Sequence, residues 1–158
     1  MLHFDYRGYL KPNTNIISNI SEIREVFVQN IKSEKRAAIF ERYLAYSNAL
    51  KNTCNHQFIQ WINGSFCTQK GEPGDIDIVS FIPHTTIEAS EMLFARFTYP
   101  ASESEFGVDA YVVKVYPEKN RYYRRYNGDK LYWLDKFCKT KVSRIGKQYA
   151  KVFLEINY

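Results

Sequence analysis

The chain has 158 residues, 45% of them hydrophobic, enough for one globular domain spanning 1–158 with its own core and too few for two. No apolar run approaches the roughly 20 residues of a membrane span, and the first nine residues lack a signal-peptide core, so a soluble, cytoplasmic protein without membrane partners is expected. Cys54, Cys67 and Cys138 are odd in number and form no C-x-x-C pair, which excludes a disulfide framework and a thiolate zinc site and fits a reducing compartment.

A polar opening ends in the turn-like Lys11-Pro12-Asn13. Ser21 can cap a short helix in which Ile23, Val26, Phe27 and Ile31 recur at helical spacing. From about Ser33 a longer helix carries Ala37, Phe40, Leu44, Ser47 and Leu50 on one face, with Glu34, Lys35, Glu41 and Arg42 on the other, a pattern that packs on a sheet. Residues 58–62 read as a strand broken by Asn63-Gly64. A loop with Gly71, Pro73 and Gly74 leads to a second strand over 76–82.

Residues 85–97 have helical spacing through Ile87, Met92, Leu93 and Phe97, while 108–116 are β-branched and aromatic, as in a buried or half-buried strand that Pro117 ends. A helix is expected over 132–137 and a last strand over 152–156. The mixture predicts an α/β or α+β fold, a sheet with helices packed against it.

The chemistry concentrates between Trp61 and Ile82. On a strand, Asp75 and Asp77 project to one side while Ile76 and Ile78 go to the core. Two carboxylates in one small volume repel and raise each other's pKa unless a cation sits between them. Hard oxygen ligands on a rigid strand suit Mg²⁺, usually held by one or two carboxylates plus substrate phosphates. Upstream, Gly64-Ser65 follows a strand, where backbone N–H groups and the Ser65 hydroxyl can hold phosphate and Gly64 leaves its approach clear. Two-metal phosphoryl transfer needs a further acid, and Asp109, embedded in the apolar strand 108–113, is the best placed.

Gly64-Ser65, nine intervening residues, Asp75-x-Asp77 and the later strand acid Asp109 resemble the signature of DNA polymerase β-type nucleotidyltransferases, over about a third of the chain. More loosely, the opening Gly8-Tyr9-Leu10-Lys11-Pro12 and the ending from Lys147 to Ile156 are similar to small bacterial and phage members of that superfamily. The resemblance implies a nucleotidyltransferase fold, a mixed sheet flanked by helices. It implies two Mg²⁺ ions, Asp75 and Asp77 binding both and Asp109 the catalytic one. The substrate would be an NTP, ATP foremost, and the acceptor a hydroxyl on protein or RNA, such as a cognate toxin or a tRNA in a toxin–antitoxin or phage-defence setting.

The chain departs from better-known minimal members where their loop Arg is replaced by the stretch 66–70, in which Lys70 can substitute. No separate nucleotide- or tRNA-binding domain is expected to follow.

The net charge of +5 is uneven. From Lys119 to Lys151, eleven Lys and Arg face only Asp129 and Asp135. Lys139, Lys141, Arg144 and Lys147 are candidates to neutralise a triphosphate, and the same field suits RNA. A solvated face is the plain alternative. Tyr122, Tyr123 and Tyr126, interleaved with Arg121, Arg124 and Arg125, fit either base stacking or an amphipathic turn with its aromatic side inward. His56 and His84 lack partners at ligand spacing, and Cys67 reads as a packing residue. A catalytically idle module of the same fold, binding RNA or a partner protein, is the rival expectation.

Overall fold

The computed structural model describes residues 2–11 and 15–158. Pro12 and Asn13 of the expected turn lie outside the described residues. Strands β1 (His3–Phe4) and β2 (Leu10–Lys11) form an antiparallel two-stranded sheet. The main sheet combines β3 (Ile16–Ile17), β4 (Ile59–Asn63), β5 (Asp77–Pro83), β6 (Asp109–Val115) and β7 (Leu154–Asn157) in the order β3-β7-β4-β5-β6. Its two outer pairings are parallel and its two inner ones antiparallel. The architecture is mixed α/β, a mixed five-stranded sheet flanked by helices. No helix among the described residues is long and apolar enough to cross a membrane.

Helix α1 (Ile20–Arg24) continues as a π-helical turn, Glu25–Gln29. Its cap is Asn19, not Ser21: extended backbone at Asn19 lets its side chain accept from the Glu22 N–H at 2.9 Å. Helix α2 (Glu34–Cys54) starts at the expected Ser33, whose hydroxyl accepts from the Arg36 N–H. Its buried face centres on Tyr43 and Tyr46, with Ala37 and Leu44 only half-buried at the margin. Two tyrosines can fill that face because their tips are satisfied, Tyr43 donating to Gln60 and Tyr46 to the Phe97 carbonyl.

The helix expected over 85–97 is broken into α3 (His84–Glu88), α4 (Glu91–Phe94) and a 3₁₀ turn, Ala95–Phe97. Ser90, with φ −156° and ψ 52°, leaves the helical region, and the rotation it introduces turns Met92 and Leu93 out to solvent. Helix α5 (Ala101–Phe106) falls where no element is expected. Helix α6 runs Tyr123–Phe137, nine residues longer at its start than the expected 132–137. The tyrosine–arginine stretch becomes its opening turns: Tyr126 packs against the core, while Tyr122 is exposed beside the Arg121 guanidinium.

The period-2 alternation divides the sheet into two faces. Ile62, Ile78, Ile82 and Ala110 face α2 and its Phe40, Tyr43 and Leu50. Trp61, Val79, Phe81 and Val113 face α6, which covers them with Trp133 and Phe137. Every polar residue on the α6 side must therefore either reach the sheet's end or find a partner inside.

Candidate functional site

One row of residues on the α6 face is polar where its neighbours are aromatic. Asn63 pairs with Asp77 across β4 and β5, and Asp77 pairs with Asp109 across β5 and β6. Paired residues share a face, so three oxygen-bearing side chains stand side by side at one end of the sheet. Asn63 Nδ2 donates to the Phe137 carbonyl at 2.8 Å. Among the described residues, its Oδ1 and Asp109 Oδ1 are both buried without a hydrogen-bond partner. Two orphaned acceptors, one amide and one carboxylate, flank the Asp77 carboxylate and form a donor set short of partners, since a buried oxygen without one costs roughly 1–3 kcal/mol.

The electrostatics agree. Burial, then the charges of Asp75 and Asp109, push the Asp77 carboxyl up to about 6, against the pull of Lys151 and Lys141. The Tyr111 hydroxyl, two residues along β6 from Asp109, is pushed up to about 12 by burial and then by the Asp109 charge.

Asp75 precedes β5, and with Asp77 it lines a cleft of about 1200 Å³, while Ile76 and Ile78 go to the core. Asp109, beside Asp77 on the neighbouring strand, does not form part of the cleft wall. Gly64 and Ser65 also line the cleft, but the work expected of them changes. Ser65 donates to Asp75 Oδ1 from both its backbone N–H and its hydroxyl, each at 2.7 Å. The same hydroxyl accepts from the N–H groups of Gly74 and Asp75, and the Phe66 N–H donates to the Asp75 carbonyl. Ser65 thus holds Asp75 rather than presenting free donors to phosphate.

Burial would raise the Asp75 carboxyl, but the Ser65 bonds, with Lys141 and Lys151, outweigh it and hold the pKa below the usual value. Gly64 is required by packing. At φ +87°, a Cβ there would stand 2.9 Å from the Asp75 carbonyl oxygen and 3.0 Å from the Asp77 nitrogen. No L side chain fits between the loop and the acidic segment.

Lys70 is exposed at the cleft wall, and its carbonyl is tied to Arg36. The basic stretch is divided by a hairpin-like excursion over residues 139–150, closed by the Lys139–Ala150 bridge and turning at Ser143–Gly146. Its stem brings Lys139 and Lys141 to the cleft, but its tip carries Arg144 and Lys147 away, so those two are not cleft residues. Lys136 also lines the cleft, its ammonium 4.7 Å from the Trp133 ring.

Three residues of the site were not legible in the sequence. Asn63 looks like a strand-ending turn former, and only its register with Asp77 gives it a role. Lys151 sits mostly buried just before β7, donates from Nζ to the Gly64 carbonyl at 2.8 Å, and with Lys141 supplies the positive charge that acts on Asp75 and Asp77. Burial lowers its pKa, opposed by Cys67 and by those two acids. Arg36, fully buried on α2, donates to the carbonyls of Phe27, Phe66, Thr68 and Lys70, fixing the loop behind Ser65. An apolar flank around Lys151 was the one available signal. Cys67 is buried, and burial pushes its thiol up to about 12, so it is inert.

Among the described residues, no three His, Cys, Asp or Glu side chains already converge as a metal cluster. The donors that do meet are carboxylates and one amide, oxygen ligands that suit Mg²⁺ rather than a thiophilic ion.

Fold and site together define a small mixed α/β protein with an acid–amide row, of which Asn63 and Asp77 line a lysine-walled cleft. The chain belongs to DUF6932, a family of unknown function, whose model matches residues 2–157. No curated protein and no solved structure matches it.

Proposed function

We propose that the chain is a nucleotidyltransferase of the polymerase β type, moving an NMP from an NTP, ATP foremost, to a hydroxyl on protein or RNA. What carries the reading is the row Asn63–Asp77–Asp109 with its two orphaned buried oxygens, joined to Asp75 and the Gly64–Ser65 loop in the order of the motif. Asp75 and Asp77 would hold both Mg²⁺ ions and Asp109 the catalytic one, with Asn63 Oδ1 as an added neutral acceptor. Such ions, when bound, polarise the triphosphate and lower the pKa of the attacking hydroxyl.

The remaining roles belong to the chain. Ser65 fixes Asp75 by two bonds to one oxygen, orienting the carboxylate before substrate arrives. Lys139, Lys141 and Lys70 offset triphosphate charge from the cleft wall. Lys151 tethers Gly64 and keeps the acids from repelling one another apart.

The test is incubation with each α-labelled NTP, Mg²⁺ and either total RNA or lysate, beside Asp75→Ala/Asp77→Ala. Label moving to a macromolecule with wild type alone is expected, and its absence for every nucleotide would sink the reading.

One observation favours a second reading. Asp75 is closed onto Ser65 and shares the cation of Lys151, as in an idle module that binds RNA or a partner protein on its basic side. In that case RNA binding would ignore Mg²⁺ and NTP and survive loss of Asp75 and Asp77.

A further inference from the structure

The cleft has a wall that the acidic row does not use. Between β1 and β2 the chain makes a tight turn. Asp5 Oδ1 accepts from the N–H groups of Arg7 at 2.9 Å and Tyr9 at 3.0 Å, and the Asp5 N–H donates to the Tyr9 carbonyl at 2.7 Å. The turn is seated on the loop that follows Ser65: the Gln69 N–H donates to the Gly8 carbonyl at 2.9 Å, and Tyr9 bridges to Thr68. It therefore forms a shelf fixed to the part of the chain that holds Asp75.

What the shelf presents is aromatic, braced by an arginine already paired within the turn: the Arg7 guanidinium donates to Asp5 Oδ2 from Nε at 3.0 Å and from Nη2 at 2.8 Å. Tyr6 is 95% exposed. The Arg7 guanidinium lies 5.5 Å from the ring centres of both Tyr6 and Tyr9, and 4.8 Å from that of Tyr149 in the 139–150 excursion. Tyr6, Arg7 and Tyr9 all line the same cleft as Asp75, Asp77, Lys139 and Lys141. A flat π surface braced by the Asp5-paired guanidinium and a lysine wall on the same cleft match the two halves of one ligand, a base and a polyphosphate. The cleft's volume is ample for a molecule of that size.

We propose that the Tyr6–Arg7–Tyr9 shelf is the nucleobase subsite, the base stacking on Tyr6 with Arg7 at its edge. This rests on the nucleotidyltransferase reading above. Stacking senses ring area and not the hydrogen-bonding edge, so the subsite favours purine triphosphates over pyrimidine ones without separating ATP sharply from GTP.

Calorimetry with Mg²⁺ tests this, comparing ATP with inorganic tripolyphosphate on wild type, Tyr6→Ala and Tyr6→Trp. Because Tyr6 is nearly all in solvent, both variants are expected to fold and melt as wild type. Tyr6→Ala should weaken ATP roughly ten- to hundredfold and leave tripolyphosphate unchanged, and Tyr6→Trp should restore ATP. Undiminished ATP binding in Tyr6→Ala overturns the subsite, as does equal loss of both ligands. A wild type that binds ATP no better than tripolyphosphate also removes the subsite and leaves the enzymatic reading standing. Binding of neither removes both.

Discussion

Replacing Asp77 by Asn should make the protein more stable while abolishing the transfer proposed above. The Asp77 carboxyl is mostly buried, flanked by Asp75 and Asp109, and raised from 3.8 to about 6. The folded chain therefore holds that proton more tightly than the unfolded chain, so Asp77 destabilises the fold once it is ionised. The penalty is absent near pH 4, grows as pH rises through about 6, and is constant above. Ionising a carboxyl raised that far costs the fold roughly 3 kcal/mol at most, and with partial exposure roughly 1–3 kcal/mol is expected.

Urea unfolding of both forms in EDTA should show the variant ahead by that amount at about pH 8, with the gap closing toward pH 4. Millimolar Mg²⁺ should stabilise wild type and do less for the variant, since an ion that binds only the native state raises its stability by mass action. If Asp77→Asn is no more stable than wild type anywhere in that range, the carboxylate is not held against its own solvation and the row has no need of a cation.

Lys151→Met removes the donor to the Gly64 carbonyl and one of the two lysine charges, with Lys141, that act on Asp75 and Asp77. It should cost roughly 2 kcal/mol at neutral pH and less at about pH 5, where Asp77 takes up a proton. Equal urea midpoints for the two proteins at both pH values would count against this role. Arg36→Lys keeps the charge but cannot reach the carbonyls of Phe27, Phe66, Thr68 and Lys70 together. A loss of roughly 2–4 kcal/mol in thermal unfolding is expected, and a change below about 0.5 kcal/mol would show that the loop holds without it.

Local pattern made much of this fold legible. The strands expected at 58–62, 76–82, 108–116 and 152–156 fall within two residues of β4, β5, β6 and β7, because β-branched and aromatic runs bounded by Gly and Pro are a short-range signal. Ser33 announced α2 in the same way. Long-range features were silent. The break at Ser90 and the early start of α6 depend on packing that overrides local spacing.

For the site, the sequence by itself determined the residue types, Gly64-Ser65, Asp75-x-Asp77 and a strand acid at Asp109, because each lies in one short segment whose chemistry is local. Tertiary structure alone decided what they do to one another. Asp77 and Asp109 meet only through parallel pairing of β5 and β6, and Asn63 joins them only through the register of β4. Lys151, Arg36 and the Tyr6 shelf arrive from distant parts of the chain. No periodicity encodes such meetings, since pairing register and the filling of a buried charge are set by the whole sheet and the helices on its faces.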